Sequence, residues 1–443
     1  MIKEISKEKL DAFTKKANDK DPNGIIQKAI VNNGIEAVAK NIKSETDMQF
    51  TFSHEIKTGE ITNQKQSGRC WMFAGMNTLR EEIMKKCNLE TLELSENYIL
   101  FYDKLEKANY FYENILDTLD EPTDGRVIAW LLDGPLNDGG QWDMLCNIIE
   151  KYGVVPKWQM PESFQSSNTR MMGALLTRKL RKDAAILRKK HINGADSSEL
   201  YSLKDNMLAE VYVALARCLG TPPEKFDFEY KDKDDNYHIQ KDLTPKEFYK
   251  KYVDIDLSDY VSLINAPTAD KPMNKTFTVQ RLGNVVGGRA VKYLNVGIEE
   301  FKSYALSQLK DNEVVWFGCD VGKFLSRELG IMDLNLYDYD AALGSDISIS
   351  KQDQLDYGDS LMTHAMVFTA VNIVDGKPVR WKVENSWGEK TGKDGWYIMS
   401  DEWFDKYMYQ VVINKKYLSQ EHLKALELKP IELNPWDPMG SLA

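Results

Sequence analysis

The sequence predicts an α+β fold, with helices through its first half and a sheet built largely from its last third. Three observations carry this. After Cys70, apolar residues fall at Met72, Met76, Leu79, Ile83 and Cys87, three or four apart, which is one face of a helix. From about Val155 to Val291 the character changes to basic and amphipathic helices with an alternating aromatic and charged arm. From Gly287 onward, short apolar runs of strand type return. A chain of 443 residues is long enough for about three domain-sized units. The units drawn here are 1–154, a first core segment with the Cys70 helix; 155–290, an inserted region; 291–430, a β-rich core segment; and 431–443, a terminal tail.

In chain order, Lys7 to Lys16 reads as a helix with Leu10, Phe13 and Ala17 on one side. The Cys70 helix follows a loop. Ser95 is placed to cap a helix whose apolar stripe is Tyr98, Ile99, Tyr102 and Leu105. Asp138-Gly139-Gly140 is a turn, and taken alone a plain one. A helix from Trp142 to Tyr152 then ends at Gly153. Arg170 to Lys190 is helical and carries eight Lys/Arg against only Asp183. Leu200, Leu203, Met207, Val211 and Cys218 mark a second helix, stopped by Pro222-Pro223. Phe226 to Lys241 reads as a hairpin turning at Asp234-Asp235-Asn236, and Pro245 to Tyr252 as a short helix. Beyond it, strands are expected at 293–296, 314–319, 364–371, 379–383 and 395–399, with a helix at 299–309. Three prolines from Pro430 onward predict an extended, non-helical end.

Composition narrows the function. Hydrophobic residues make up 42% and charged residues 28%, a globular mixture. No run approaches the ~18–20 uncharged apolar residues of a membrane helix, and the N-terminal residues alternate in charge without an apolar signal core. Five widely spaced cysteines argue against a disulfide framework and for a reducing, cytoplasmic compartment. With no CxxC pair and five histidines, no metal and no cofactor is expected. A net charge of −11 opposes whole-surface attraction to nucleic acid. The basic 170–190 helix keeps a nucleic-acid-binding or scaffold oligomer as the alternative, although a solvated helix face or an oligomer contact explains it more simply.

Cys70 stands at or just before the first turn of its helix. Unpaired N–H groups and the helix dipole there favour an anion, so the thiol is expected to ionise more easily than a free one. A thiolate nucleophile needs a base and a group to orient it. His364 adjoins a core strand, whereas His54, His191, His238 and His422 sit in polar surroundings. Taken singly, His364 reads as a satisfied, partly buried histidine and Asn385 as turn chemistry. Read together, Gln64, Cys70, His364 and Asn385-Ser386-Trp387-Gly388, in that order, resemble the papain-like cysteine peptidases. Leu94-Ser95-Glu96 and Asp138-Gly139-Gly140 also fall where that family has a helix start and a substrate-binding Gly-Gly. Three features depart from the pattern. Arg69 replaces a small residue and the upstream disulfide cysteine is missing. The Cys-to-His interval is about twice the ~130–150 residues of simple members. A Cys-His acyltransferase uses the same triad logic, but the Asn-Ser-Trp-Gly motif and Gln64 speak against it.

The long interval and the ending Pro435-Trp436-Asp437-Pro438-Met439-Gly440-Ser441-Leu442-Ala443 make the chain similar to the bleomycin hydrolase family, called aminopeptidase C in bacteria. That resemblance implies a papain-like two-lobed core, a helical lobe and an antiparallel β lobe, with a large helical and hook insertion. It implies Cys70, His364 and Asn385 as catalytic residues and Gln64 with the Cys70 N–H as the oxyanion hole. Trp387 would shield the triad, and Gly139, Gly140 and Ala443 would bind substrate. It further implies peptides with a free N-terminus as substrates, a homohexamer with inward-facing sites, and a tail that limits access.

Overall fold

The computed structural model describes residues 4–441. The Cys70–Cys87 helix is the pivot of the molecule. The apolar face read from the sequence is buried, but so are Trp71, Phe73, Ala74, Arg80 and Glu81. The helix is enclosed on nearly every side because it runs between a helical lobe and a sheet. Its partners in the helical lobe are Glu96–Asp117, capped by Ser95, and Trp142–Tyr152. It ends at Asn88, whose φ of 51° is a left-handed stop.

Behind it stands a 12-stranded sheet. Its centre is Met408–Asn414, Val315–Cys319, His364–Val374 and Lys377–Glu384, joined antiparallel. The register sets His364 opposite Cys319, and the short strand His54–Glu55 pairs with the far end of the His364 strand. The expected strands 293–296, 314–319, 364–371, 379–383 and 395–399 are present within a few residues. Tyr260–Ile264, Lys275–Val279 and Met408–Asn414 had no sequence expectation yet join the same sheet. The boundary drawn at 290 therefore falls differently here. The helices Arg170–Ile192 and Ser197–Leu219 and the hairpin Phe226–Lys231/Tyr237–Leu243 lie outside the sheet, while the two strands between 260 and 279 are part of it.

Two further features depart from expectation. The Lys7–Lys20 helix buries none of its residues, so its apolar side is exposed. The tail is not wholly extended: Ile431–Leu433 adds a parallel strand beside Lys275–Val279, and Pro438–Gly440 forms a 3-10 turn. Proline is suited to the first position of such a turn, and Asp437 caps it by accepting from the Met439 N–H. On the basic helix, Lys179 pairs with Asp183 and Glu210, Lys190 pairs with Glu199, Arg181 donates to the Leu132 carbonyl near the end of the Arg126–Asp133 helix, and Arg188 donates to the Thr118 carbonyl. Much of that charge is thus engaged within the chain.

Candidate active site

Three elements meet in one cleft. Cys70 is the first residue of its helix, His364 the first of its strand, and Asn385 follows the end of Lys377–Glu384. The His364 imidazole Nε2 donates to Asn385 Oδ1 at 2.9 Å, which leaves Nδ1 to exchange a proton with the thiol. Asn385 Oδ1 also accepts from the Ser386 N–H at 2.8 Å, so the amide is held from two sides. The Trp387 ring lies 4.8 Å from the imidazole and covers it. Cys70, His364 and Asn385 are 2%, 4% and 0% exposed.

Burial governs the protonation of this cleft. It pushes the Cys70 thiol up to about 11, against the N–H groups of Ala365, Trp71 and Cys70 that favour the anion. It lowers His364 to about 4, although the Asn385 hydrogen bond works the other way. The expectation of an easily ionised thiol is thus opposed by burial: the helix N-terminus contributes in the expected direction, and desolvation works against it.

Gln64 is fixed at both ends of its side-chain amide. Oε1 accepts from Ser386 Oγ at 2.7 Å, and Nε2 donates to the Ser67 carbonyl at 2.6 Å. The second N–H of that amide is left without a partner among these bonds, as an oxyanion donor requires. The loop between them is held by Arg69, which is fully buried. Its guanidinium forms a two-pronged pair with Glu162 at 2.9 and 2.8 Å, and its Nε donates to Ser67 Oγ. The large residue where papain-like enzymes have a small one therefore ties the cysteine loop to the inserted region.

The Gly-Gly turn packs against Trp71. A side chain at Gly140 would meet the indole at 2.5 Å, so close approach requires glycine there. Trp71 Nε1 donates to the Asp138 carbonyl, and Lys107 donates to the Gly139 carbonyl at 2.7 Å. Asp138 also accepts from the Gly68 N–H and from Thr169, and pairs with Lys104 at 2.6 Å. Burial alone would raise its pKa, but Lys104 and these donors hold the carboxyl well below the usual range.

The tail enters from the same side. Asp437 pairs with buried Lys271 at 2.9 Å, Tyr293 Oη donates to the Met439 carbonyl at 3.1 Å, and Met439 is buried. Gln141 Nε2, one residue beyond Gly140, donates to the Ser441 carbonyl at 2.6 Å, and Ser441 Oγ donates to the Met362 carbonyl. Ala443 lies outside the described residues. Of these supports, Ser386 could have been found within the Asn-Ser-Trp-Gly motif and Gln141 beside the Gly-Gly pair. Glu162 and Met362 carry no local signal.

Comparison with known proteins places the whole chain in one family. The chain matches the Peptidase C1-like family over residues 4–440. It is 52% identical over 443 residues to "Aminopeptidase C" of Listeria innocua, covering 100% of both chains. It is 43% identical over 450 residues to "Bleomycin hydrolase" of Mus musculus, covering 99% of each. The crystal structure of PepW from Lactobacillus rhamnosis HN001 superposes with a TM-score of 0.99 at 54% identity, covering 100% of both chains. These matches and the cleft define a cysteine peptidase with a papain-like fold. The chain belongs to the Peptidase C1-like family. Its enzyme class is that of a cysteine-type aminopeptidase.

Proposed function

We propose that this enzyme removes residues from free peptide N-termini through a thioester on Cys70, with its own C-terminal tail excluding longer chains. The observation that carries this reading is the fastening of Ser441 to Gln141 and Met362, beside Gly140 and two residues before His364. A chain end held there occupies the side of the cleft on which an endopeptidase would seat residues preceding the cut.

In the proposed mechanism, substrate carbonyl binding aligns the thiol for attack. His364 Nδ1 takes the Cys70 proton as sulfur adds to the carbonyl carbon. The oxyanion is held by the free Gln64 N–H and the Cys70 N–H. The C–N bond breaks, and the imidazolium gives its proton to the departing amine. His364 then takes a proton from water, which attacks the thioester and releases the amino acid. Asn385 keeps the imidazole in plane and Trp387 keeps water from their hydrogen bond. The family resemblance assigns the contact with the substrate ammonium to the carboxylate of Ala443, an attraction strengthened where water is excluded.

The free thiols fit a reducing, cytoplasmic setting, and the exposed side of the Lys7–Lys20 helix, with Leu10 and Phe13 on it, fits burial in a homohexamer. Sedimentation of the purified chain checks the latter. The main test removes residues 441–443. Activity on aminoacyl amides with free N-termini should fall, and N-acetylated peptides should become substrates. An unchanged preference for free N-termini would refute the gate.

A further inference from the structure

Ser441 of the tail is fastened to Gln141 and Met362, whereas Trp387 lies over His364, the group that would protonate the departing amine. Arg327 stands there with its guanidinium carbon 4.3 Å from the centre of the Trp387 ring, on an indole that is itself 4.8 Å from His364. Its main chain is held in place: the Arg327 carbonyl accepts from the Gly392 N–H at 2.8 Å and from Tyr397 Oη at 3.4 Å. The side chain differs from the arginines near it in function. Arg69 and Arg80 pair with Glu162 and Glu384. Among the described residues no carboxylate lies within ion-pair distance of Arg327, and the residue is exposed.

We propose that Arg327 is a specificity-determining residue whose guanidinium, stacked on Trp387, binds a carboxylate carried by the leaving part of the peptide. The inference rests on the aminopeptidase reading above, because that reading sets which side of Cys70 the leaving group occupies. Arginine suits this role because its planar fork can stack on an indole with one face while its edge donates two parallel N–H groups to a carboxylate. The positive charge also opposes protonation of His364. A bound carboxylate offsets that charge during the step in which the imidazolium forms. Two sources share this chemistry, the C-terminal carboxylate of a short peptide and an acidic side chain just after the cut.

A purely structural role, covering the indole, predicts something different. It would make Arg327 matter equally for all substrates. The test compares kcat/KM for Leu-Gly, Leu-Gly-amide, Leu-Asp-amide and a leucine arylamide in the native enzyme, R327K and R327Q. An exposed charge contact of this kind is worth about threefold to fivefold in selectivity. The native enzyme should favour Leu-Gly over Leu-Gly-amide by about that factor, less so in high salt. The ratio should collapse to near unity in R327Q and be partly restored in R327K. If Leu-Asp-amide shares the advantage, the side-chain carboxylate is also read; if it does not, the C-terminal carboxylate alone is. Equal losses on all four substrates in R327Q, or unchanged ratios, would overturn the proposal. Failure of the native enzyme to cleave the arylamide would instead overturn the aminopeptidase reading on which the proposal stands.

Discussion

The two sides of the cleft are built on opposite plans. On the Gly139–Gly140 side the chain closes on itself: a tail strand, a buried Lys271–Asp437 pair and the Ser441 hydrogen bonds bring the chain end to the cleft. On the Trp387 side there is a surface aromatic with a cation above it. The first side is built from contacts that join distant parts of the chain, the second from a stacked pair beside the triad histidine.

The comparison breaks most completely at the centre both sides share. C70A should lower turnover by more than about 10⁴-fold while circular dichroism and melting stay near native, since a nucleophile and its base act as a unit. Next comes the oxyanion donor. Q64A should cost about 10²–10³ in kcat, with little change in KM, measured on an aminoacyl arylamide. A smaller loss on that arylamide is expected for S386A, which leaves Gln64 in place but frees its amide to rotate.

The smallest effect concerns the joint between the lobes. Arg80, on the Cys70 helix, pairs with Glu384 at 2.8 Å, immediately before Asn385, and stands 3.6 Å from Glu81. Burial pushes Glu81 up to about 7, against the pull of Arg80 and with the repulsion of Glu384 adding to it. Between the unfolded value of 4.5 and about 7, the folded protein holds a proton that the unfolded chain has released, so stability falls as pH rises through that window. The neutral E81Q should therefore be more stable than the native chain at pH 8, by about 1–3 kcal/mol, and no more stable at pH 4.5. Thermal melts at the two pH values check this. An equal difference at both would mean that the carboxylate charge is not the cause.

Much of the arrangement was legible in local sequence. The Cys70 helix, the Ser95 cap, the 142–152 helix ending at Gly153 and the apolar strand after His364 follow from spacing and end signals that act within a few residues. Tyr260–Ile264 and Met408–Asn414 did not stand out, because their identity as strands depends on each other and on Val315–Cys319 rather than on their own pattern. The tail was misread for a related reason. Its prolines argue for an extended end, but the Asp437 cap, Lys271 and Tyr293 impose a turn and a docking site.

By itself the sequence determined which residue types are available: a cysteine at a helix start, a histidine opening a core strand, an Asn-Ser-Trp-Gly loop and a glutamine six residues before the cysteine. These are local and chemical facts, and side-chain chemistry does not change with folding. Only the tertiary structure brought burial to bear on that cysteine, since burial is a property of everything packed around the thiol and pushes against the helix N-terminus. It also decided that Arg69 is a strut to Glu162, that Ser386 holds Gln64, and that Ser441 is fastened to Gln141. Each of those contacts joins residues far apart in sequence, and no local pattern encodes a partner that distant.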